Sequence, residues 1–268
     1  MNQSSKSRAA GFGIPLTCII VTYNESARLK KCLESISFCD QIVHIDLGST
    51  DGSTDISRQY GARIFYHPRV RAVECVLSFA FSKALNDWIL IMDPDEVFNP
   101  ILLKSIYAII SGAPDVGMIS LPFQYYFMGK KIRTTVWGGI KHIPRVCHRD
   151  RVLTTGKIHQ GLKLADNFRA EKADAEGLHP VRHYWIDSCG QFLYKHMRYI
   201  REEGRIRFLN GERFRFTPCI RDTKNAFIQN FVDLNGRNGG WQGFFLSGMY
   251  AWYVFMCHIS LLAYQIYR

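Results

Sequence analysis

Two carboxylates stand two residues apart, Asp93 and Asp95, directly after the apolar run WILIM (88–92). At the end of a buried strand such a pair can face one hard cation. Mg²⁺ or Mn²⁺ favours oxygen ligands of this kind and bridges protein to phosphate oxygens. Pro94 fixes one backbone angle between the pair and stiffens the turn. A D-x-D alone also suits a solvated turn, but two further polar clusters follow apolar runs here. Asp46 closes QIVHID (41–46), and Asp51 lies in the loop Gly48-Ser49-Thr50-Asp51-Gly52. A carboxylate at Asp46 can accept a hydrogen bond from the N3–H of a pyrimidine, whereas Asp51 or Ser53 also suits a helix cap. Thr22-Tyr23-Asn24-Glu25 follows TCIIV (17–21), where Tyr23 can stack on a base or serve simply as a core ring.

These clusters need elements that bring them together. TCIIVTY (17–23) is continuous, β-branched and apolar, the pattern of a buried parallel strand. Asn24 or Ser26 can then cap a helix whose apolar face is Leu29, Cys32, Leu33 and Ile36. QIVHID is a second strand, residues 54–60 a short helix, and ARIFYH (62–67) a third strand. A longer helix is expected with Val73, Val76, Leu77, Ala80, Ala84 and Leu85 on one side. WILIM is another strand, and Pro100 can open a helix over 101–110. Strands alternate with helices to about residue 110, which predicts an α/β fold on a doubly wound parallel sheet. Ligands of such sheets bind beyond the carboxyl ends of the strands, where the three clusters fall.

The order TYNE, IDLGSTDGSTD, DWILIMDPDE resembles the donor half of family 2 glycosyltransferases, which have the GT-A fold, and among them bacterial enzymes of lipopolysaccharide core or related glycoconjugate assembly. The resemblance is strong over 17–125. It continues through Phe127–Lys130, Lys157–Gln160, His183-Tyr184 and Lys195–Tyr199. It implies that Thr22, Tyr23, Asn24 and Glu25 border the nucleotide, with Asp51 nearby, and that Asp46 meets the base. Asp93 and Asp95 would meet ribose and the metal-bound diphosphate, with His183 a further metal contact. The implied reaction is sugar transfer with inversion from a nucleotide-diphosphate donor, UDP-linked by preference, to a saccharide or glycolipid acceptor. The implied cofactor is Mg²⁺ or Mn²⁺. Relatives carry a His-Glu pair where this chain has His159-Gln160. Gln160 cannot take a proton, so Glu96 or His159 is the expected base. Two other readings are a sugar-nucleotide-binding protein without turnover and, more distantly, a nucleotidyltransferase, whose glycine-rich basic loop is replaced here by Tyr23-Asn24-Glu25.

Of 268 residues, 47% are hydrophobic and 21% charged, enough apolar sequence for a sizeable core and too much for a disordered chain. The net charge of +11 is unevenly spread: −1 over 1–127, +10 over 128–215 and +2 over 216–268. That field favours anionic partners. Without a nucleic-acid-binding motif, and with acidic clusters at the site, nucleic acid is not the expected one. Arg145, Arg149, Arg151, Lys157 and Lys163 are expected near the site mouth. The eight cysteines form no C-x-x-C pair, which suits reduced, largely buried thiols in the cytosol. Four segments are expected: a flexible tail (1–13), a nucleotide-sugar-binding half (14–127), a basic acceptor-side half (128–215) and a helical hydrophobic extension (216–268). Within the last, 243–267 carries no formal charge but eight aromatics. Aromatics along its whole length suit a helix lying on a membrane or packed on the protein better than a span. The expected place is the inner face of the cytoplasmic membrane.

Overall fold

The computed structural model describes residues 13–70, 73–155, 161–173 and 179–267. The expected tail falls almost wholly outside them, as do Lys157, His159 and Gln160. The chain forms two compact units, one of residues up to Phe123 with Ile140–His183, the other of Gln124–Gly139 with Tyr184 onward. These boundaries differ from the expected breaks at 127 and 215. Segment 140–183 sits with the N-terminal half, because its strand at 140–148 pairs there.

The first unit begins β1 (Leu16–Thr22), α1 (Ser26–Ser35), β2 (Gln41–Asp46), α2 (Ser53–Gln59), β3 (Arg63–Tyr66), α3 (Leu77–Ser82), β4 (Trp88–Met92), β5 (Glu96–Val97) and α4 (Leu102–Gly112). Along the chain there follow β6 (Val116–Phe127), β7 (Lys130–Lys131), β8 (Ile140–His148), β9 (Val152–Thr154), β10 (Leu162–Leu164), β11 (Arg169–Lys172) and β12 (Val181–Ile186), of which β7 and the last residues of β6 and β12 belong to the second unit. The main sheet runs β3-β2-β1-β4-β8-β6-β12-β5. β1, β2, β3 and β4 are parallel, with Thr22 opposite Asp46 and Ile20 opposite Met92. β8 joins β4 antiparallel. This mixed, mostly parallel sheet flanked by helices is the expected α/β, GT-A architecture. β1, β2 and β4 are buried along their whole length, which is why they read as unbroken apolar runs. Ile19, Val43, Ile45, Ile89 and Ile91 pack there with Val76, Leu77 and Ala80.

The long helix expected over 73–85 is instead a 3-10 turn (Val73–Cys75) and the six-residue α3. The groups that would extend α3 are engaged by side chains: the Leu85 N–H donates to Gln41 Oε1 at 2.7 Å. Arg149 donates to the oxygens of Phe81 and Ala84, and Gln41 donates to that of Lys83. Leu85 consequently ends 68% exposed rather than in the core.

The second unit holds α5 (Cys189–Leu209), α6 (Phe216–Ile228), a π turn (Gln229–Asp233) and α7 (Gly240–Ile266). The C-terminal helical extension is therefore present. α7 packs against both α5 and α6, and small residues permit the approach. A Cβ on Gly204 of α5 would lie 2.2 Å from Ser260 Oγ of α7, and one on Gly243 of α7 would lie 1.9 Å from the oxygen of Gly236 in the turn that leads into α7. His258, 3% exposed, reaches Asp222 of α6 at 3.3 Å. Segment Gly236–Ile266 is apolar and long enough to cross a membrane by length and composition, with a third of its most apolar window buried against the protein.

Candidate active site at the carboxyl edge of the sheet

Because β1, β2 and β4 are parallel neighbours, the segments after Thr22, Asp46 and Met92 leave the sheet on one edge. With strands about 4.8 Å apart, the ends of β2 and β4 stand roughly 10 Å apart across β1.

Hydrogen bonds tie the first two segments together. Asn24, with φ of 57°, donates its N–H to Ser49 Oγ at 2.9 Å and accepts from the Thr50 N–H at 2.8 Å. The N–H groups of Glu25 and Ser26 donate to Ser53 Oγ and Asp51 Oδ2. The expected caps of α1, Asn24 and Ser26, are thus replaced by Asp51 from the next loop. Asp51 also accepts from the Ser53 N–H at the start of α2, so one carboxylate serves two helix starts. Burial opposes its charge, but the Ser53 hydroxyl and the Ser26 and Ser53 N–H groups bring Asp51 down to about 2.

Asp46 is 1% exposed and accepts from the N–H groups of Gly48 and Ser49, so its carboxylate shapes the turn that follows it. Thr22 turns its hydroxyl to His44 Nε2, 2.6 Å away and fully buried, instead of to the open edge. Tyr23 is 37% exposed, and the Arg69 guanidinium lies 3.8 Å from its ring centre.

The acidic turn is braced from both sides. Arg28, Cys32 and Ser35 of α1 recur at i, i+4, i+7 and form one face. Arg28 Nη1 lies 3.6 Å from Asp95 Oδ2, Cys32 Sγ donates to the Asp93 carbonyl, and Ser35 Oγ accepts from the Phe98 N–H. From β8, Arg145 Nη2 binds Asp93 Oδ2 at 2.8 Å and also Glu96 Oε1. Glu96 has no exposed side-chain surface, and its other oxygen accepts from the Asp93 N–H at 2.9 Å. From β12, His183 Nε2 stands 3.3 Å from Asp95 Oδ2. Phe123 packs against both Arg145 and His183. Burial raises Glu96 well above the usual carboxylate range, and Arg145 opposes that rise. Burial likewise works against the guanidinium charge, yet Glu96 and Asp93 hold Arg145 above its ordinary value. These two shifts pull opposite ways on one pair. The guanidinium stays charged, since it faces two carboxylates and arginine does not deprotonate in proteins.

The structure thus gathers Asp93, Asp95, Glu96 and His183 in one cluster, with Asp46, Asp51 and Tyr23–Glu25 along the same sheet edge. Glu96 corrects the expectation of a base: a carboxylate with no exposed surface, spent on Arg145 and the Asp93 N–H, cannot touch an acceptor hydroxyl. His159 lies outside the described residues. Arg149 and Arg151 are also corrected. Arg149 holds carbonyls at the end of α3, and Arg151 donates to the Val116 oxygen at 2.7 Å. Arg28 was missed in the sequence, although its i, i+4, i+7 spacing with Cys32 and Ser35 was there to read. All eight cysteines are free, five buried, with Cys75 and Cys189 exposed.

Among the described residues no group of three or more His, Cys, Asp or Glu is arranged to hold a metal. The donor chemistry nonetheless fits a hard divalent ion. Ligands about 2.1 Å from such an ion at right angles lie roughly 3 Å apart, and Asp95 and His183 already stand 3.3 Å apart. Two protein donors would leave further positions for phosphate oxygens and water, the usual manner of Mg²⁺.

Residues 17–158 match the model of Glycosyl transferase family 2. The lipopolysaccharide core biosynthesis glycosyltransferase LpsC of Rhizobium meliloti (strain 1021) is 30% identical over 242 residues, covering 85% of this chain and 83% of that protein. An uncharacterized glycosyltransferase of Rickettsia felis is 35% identical over 92 residues, covering 34% of this chain and 32% of the relative. Among solved structures, glucosyl-3-phosphoglycerate synthase from Mycobacterium tuberculosis, in complex with Mn²⁺, UDP and glucosyl-3-phosphoglycerate, is similar at 17% identity and a TM-score of 0.40. The match covers 53% of this chain and 60% of that one, so the chain spans less than two thirds of that structure. With the family model covering more than half its length and a relative 30% identical over 85% of it, this chain belongs to glycosyl transferase family 2.

Proposed function

We propose that the chain is a metal-dependent, inverting glycosyltransferase that moves a sugar from a nucleotide-diphosphate donor, UDP-linked by preference, to a saccharide or glycolipid acceptor in cell-envelope glycoconjugate synthesis. One observation carries this reading: Asp95 and His183, 3.3 Å apart, share an edge of a parallel sheet with Asp46. The roughly 10 Å between the ends of β2 and β4 suits a nucleoside diphosphate laid across β1. Asp46 would then border the base, Tyr23, Asn24, Glu25 and Asp51 the nucleotide, and Asp93 the ribose. Asp95 and His183 would hold the ion. Bound there, Mg²⁺ or Mn²⁺ would neutralise charge developing on the leaving diphosphate. The acceptor oxygen forms its bond to the anomeric carbon as the carbon–oxygen bond to the diphosphate breaks on the opposite face, and the acceptor proton passes to a base. His159 is the proposed base. Glu96 is proposed to position the turn through Arg145 and the Asp93 N–H. The role named for the relative from Rhizobium meliloti supports a lipopolysaccharide-type acceptor, and with it a working place at the inner face of the cytoplasmic membrane.

Gln160 favours a second reading, a sugar-nucleotide binder without turnover. Calorimetry with a panel of nucleotide sugars, with Mn²⁺, Mg²⁺ or chelator, tests both, together with donor hydrolysis. UDP-linked donors are expected to bind best, and Asp95→Ala to abolish the metal-dependent part. Equal, metal-independent binding by wild type and Asp95→Ala sinks the proposal. Metal-dependent binding without hydrolysis or transfer selects the second reading.

A further inference from the structure

α6 and the turn after it expose Phe216 (72%), Ile220 (50%), Ile228 (39%) and Val232 (44%), each a multiple of four residues from the next. On a helix that spacing makes one ridge. Lys224, exposed, fills the missing position. The first turn of α7 extends the patch with Trp241 (57%) and Phe244 (61%), whose ring stands about 6 Å from Phe227 and Phe231. The inner faces of these elements are already used. Cys219, Ala226 and Asn230 are buried, and Asn230 donates to the Ala226 oxygen while accepting the Val136 N–H. The ridge is therefore not core surface turned outward by a poor fit.

Charge indicates what covers it. Segment 213–237 carries five Lys or Arg and two acids. Of the acids, Asp222 is drawn to Arg221 and His258, leaving Asp233. An exposed ridge of Phe, Ile and Trp bordered by Arg and Lys matches the interface of an anionic bilayer, where rings lie at headgroup depth and cations meet lipid phosphates. We infer that α6 and the start of α7 form a docking face for an anionic membrane surface, lying along it and not through it. A span by α7 would strip the His258–Asp222 contact and the Gly204–Ser260 approach that seat it on its neighbours. The inference rests on the proposed membrane-side acceptor for its purpose, though not for its geometry.

The test is flotation of the purified full chain with phosphatidylcholine vesicles, plain or with about one third phosphatidylglycerol, at about 0.1 M salt. Wild type is expected to float with the anionic vesicles and to be released by high salt. Phe216→Ser with Ile220→Ser, and separately Arg221→Glu with Lys224→Glu, should each weaken binding on the order of tenfold or more. All four side chains are exposed, so both variants should keep the wild-type Tm; if the serine pair lowers it, the charge pair decides. Unchanged flotation of the charge variant overturns the proposal. So does failure of wild type to float, or a dimer in sedimentation that the serine pair dissolves without any lipid binding. UDP-sugar binding, measured beside flotation, separates the two readings: a chain that floats but binds no donor keeps this surface and loses the proposed donor.

Discussion

Removing Arg145 tests whether the acidic turn is set by a buried ion pair. Arg145→Met leaves the Glu96 carboxylate, with no exposed surface, without its counter-charge. Breaking a buried pair from one side costs about 3–5 kcal/mol. Little is added for the Asp93 leg, because that side chain is 33% exposed and water screens it. Glu96→Gln keeps an acceptor for the Asp93 N–H but leaves the guanidinium, 15% exposed, with Asp93 alone; about 2 kcal/mol is expected. In the double variant neither charge is stranded, an amide oxygen still accepts the Asp93 N–H, and Met fills the space against Phe123. That variant should lose only about 1–2 kcal/mol, below the sum of the singles by roughly 3 kcal/mol or more. Urea unfolding followed by tryptophan fluorescence gives all four values, with m held constant as the check that one transition is compared. Additivity within about 0.5 kcal/mol would mean that the two side chains do not act as a pair, and the positioning role given to Glu96 would fall with it.

Two further perturbations have signs fixed by the structure. Burial holds His44 at about 4, far below an ordinary histidine, so between about 4 and 6.5 the unfolded chain binds a proton that the folded chain refuses. Stability should therefore fall as pH drops through that window, by up to about 3 kcal/mol from this residue, and His44→Gln should flatten the slope in urea titrations at pH 7, 6 and 5. Gly204→Ala puts a methyl 2.2 Å from Ser260 Oγ and should cost about 1–3 kcal/mol by forcing α5 off α7; an unchanged Tm would refute that packing.

The sequence announced its strands more clearly than its helices. β1, β2 and β4 are buried on both faces, so unbroken apolar runs were enough to find them and to predict their parallel order. The helix over 73–85 misled because its apolar spacing is real while its end is decided by Gln41 and Arg149, far away in sequence. The caps of α1 failed for the same reason: Asn24 and Ser26 are ideal local caps, but Asp51 arrives from the next loop. At the site, D-x-D spacing located the acidic turn, and the resemblance supplied His183. Nothing local to Glu96 says that Arg145, on a strand entering from the far side of β4, will take it out of reach of substrate.

The basic side chains around the acidic turn explain how it keeps its shape before any ligand arrives. Asp95 faces Arg28 and His183, and Asp93 faces Arg145, each supplied by a different element: α1, β12 and β8. Carboxylates gathered at one turn would otherwise repel each other. The two arginines differ in what they leave free. Arg145 is locked between Asp93 and the wholly buried Glu96, so releasing it would strand a charge in the core. Arg28 stands farther off, 3.6 Å from Asp95 against the 2.8 Å of Arg145 from Asp93. If a cation binds as proposed, Asp95 and His183, 3.3 Å apart, would receive it while Asp93 stays held by Arg145. On this argument the division of labour in the Asp-Pro-Asp turn follows from what stands behind each carboxylate, and the two acids are not interchangeable.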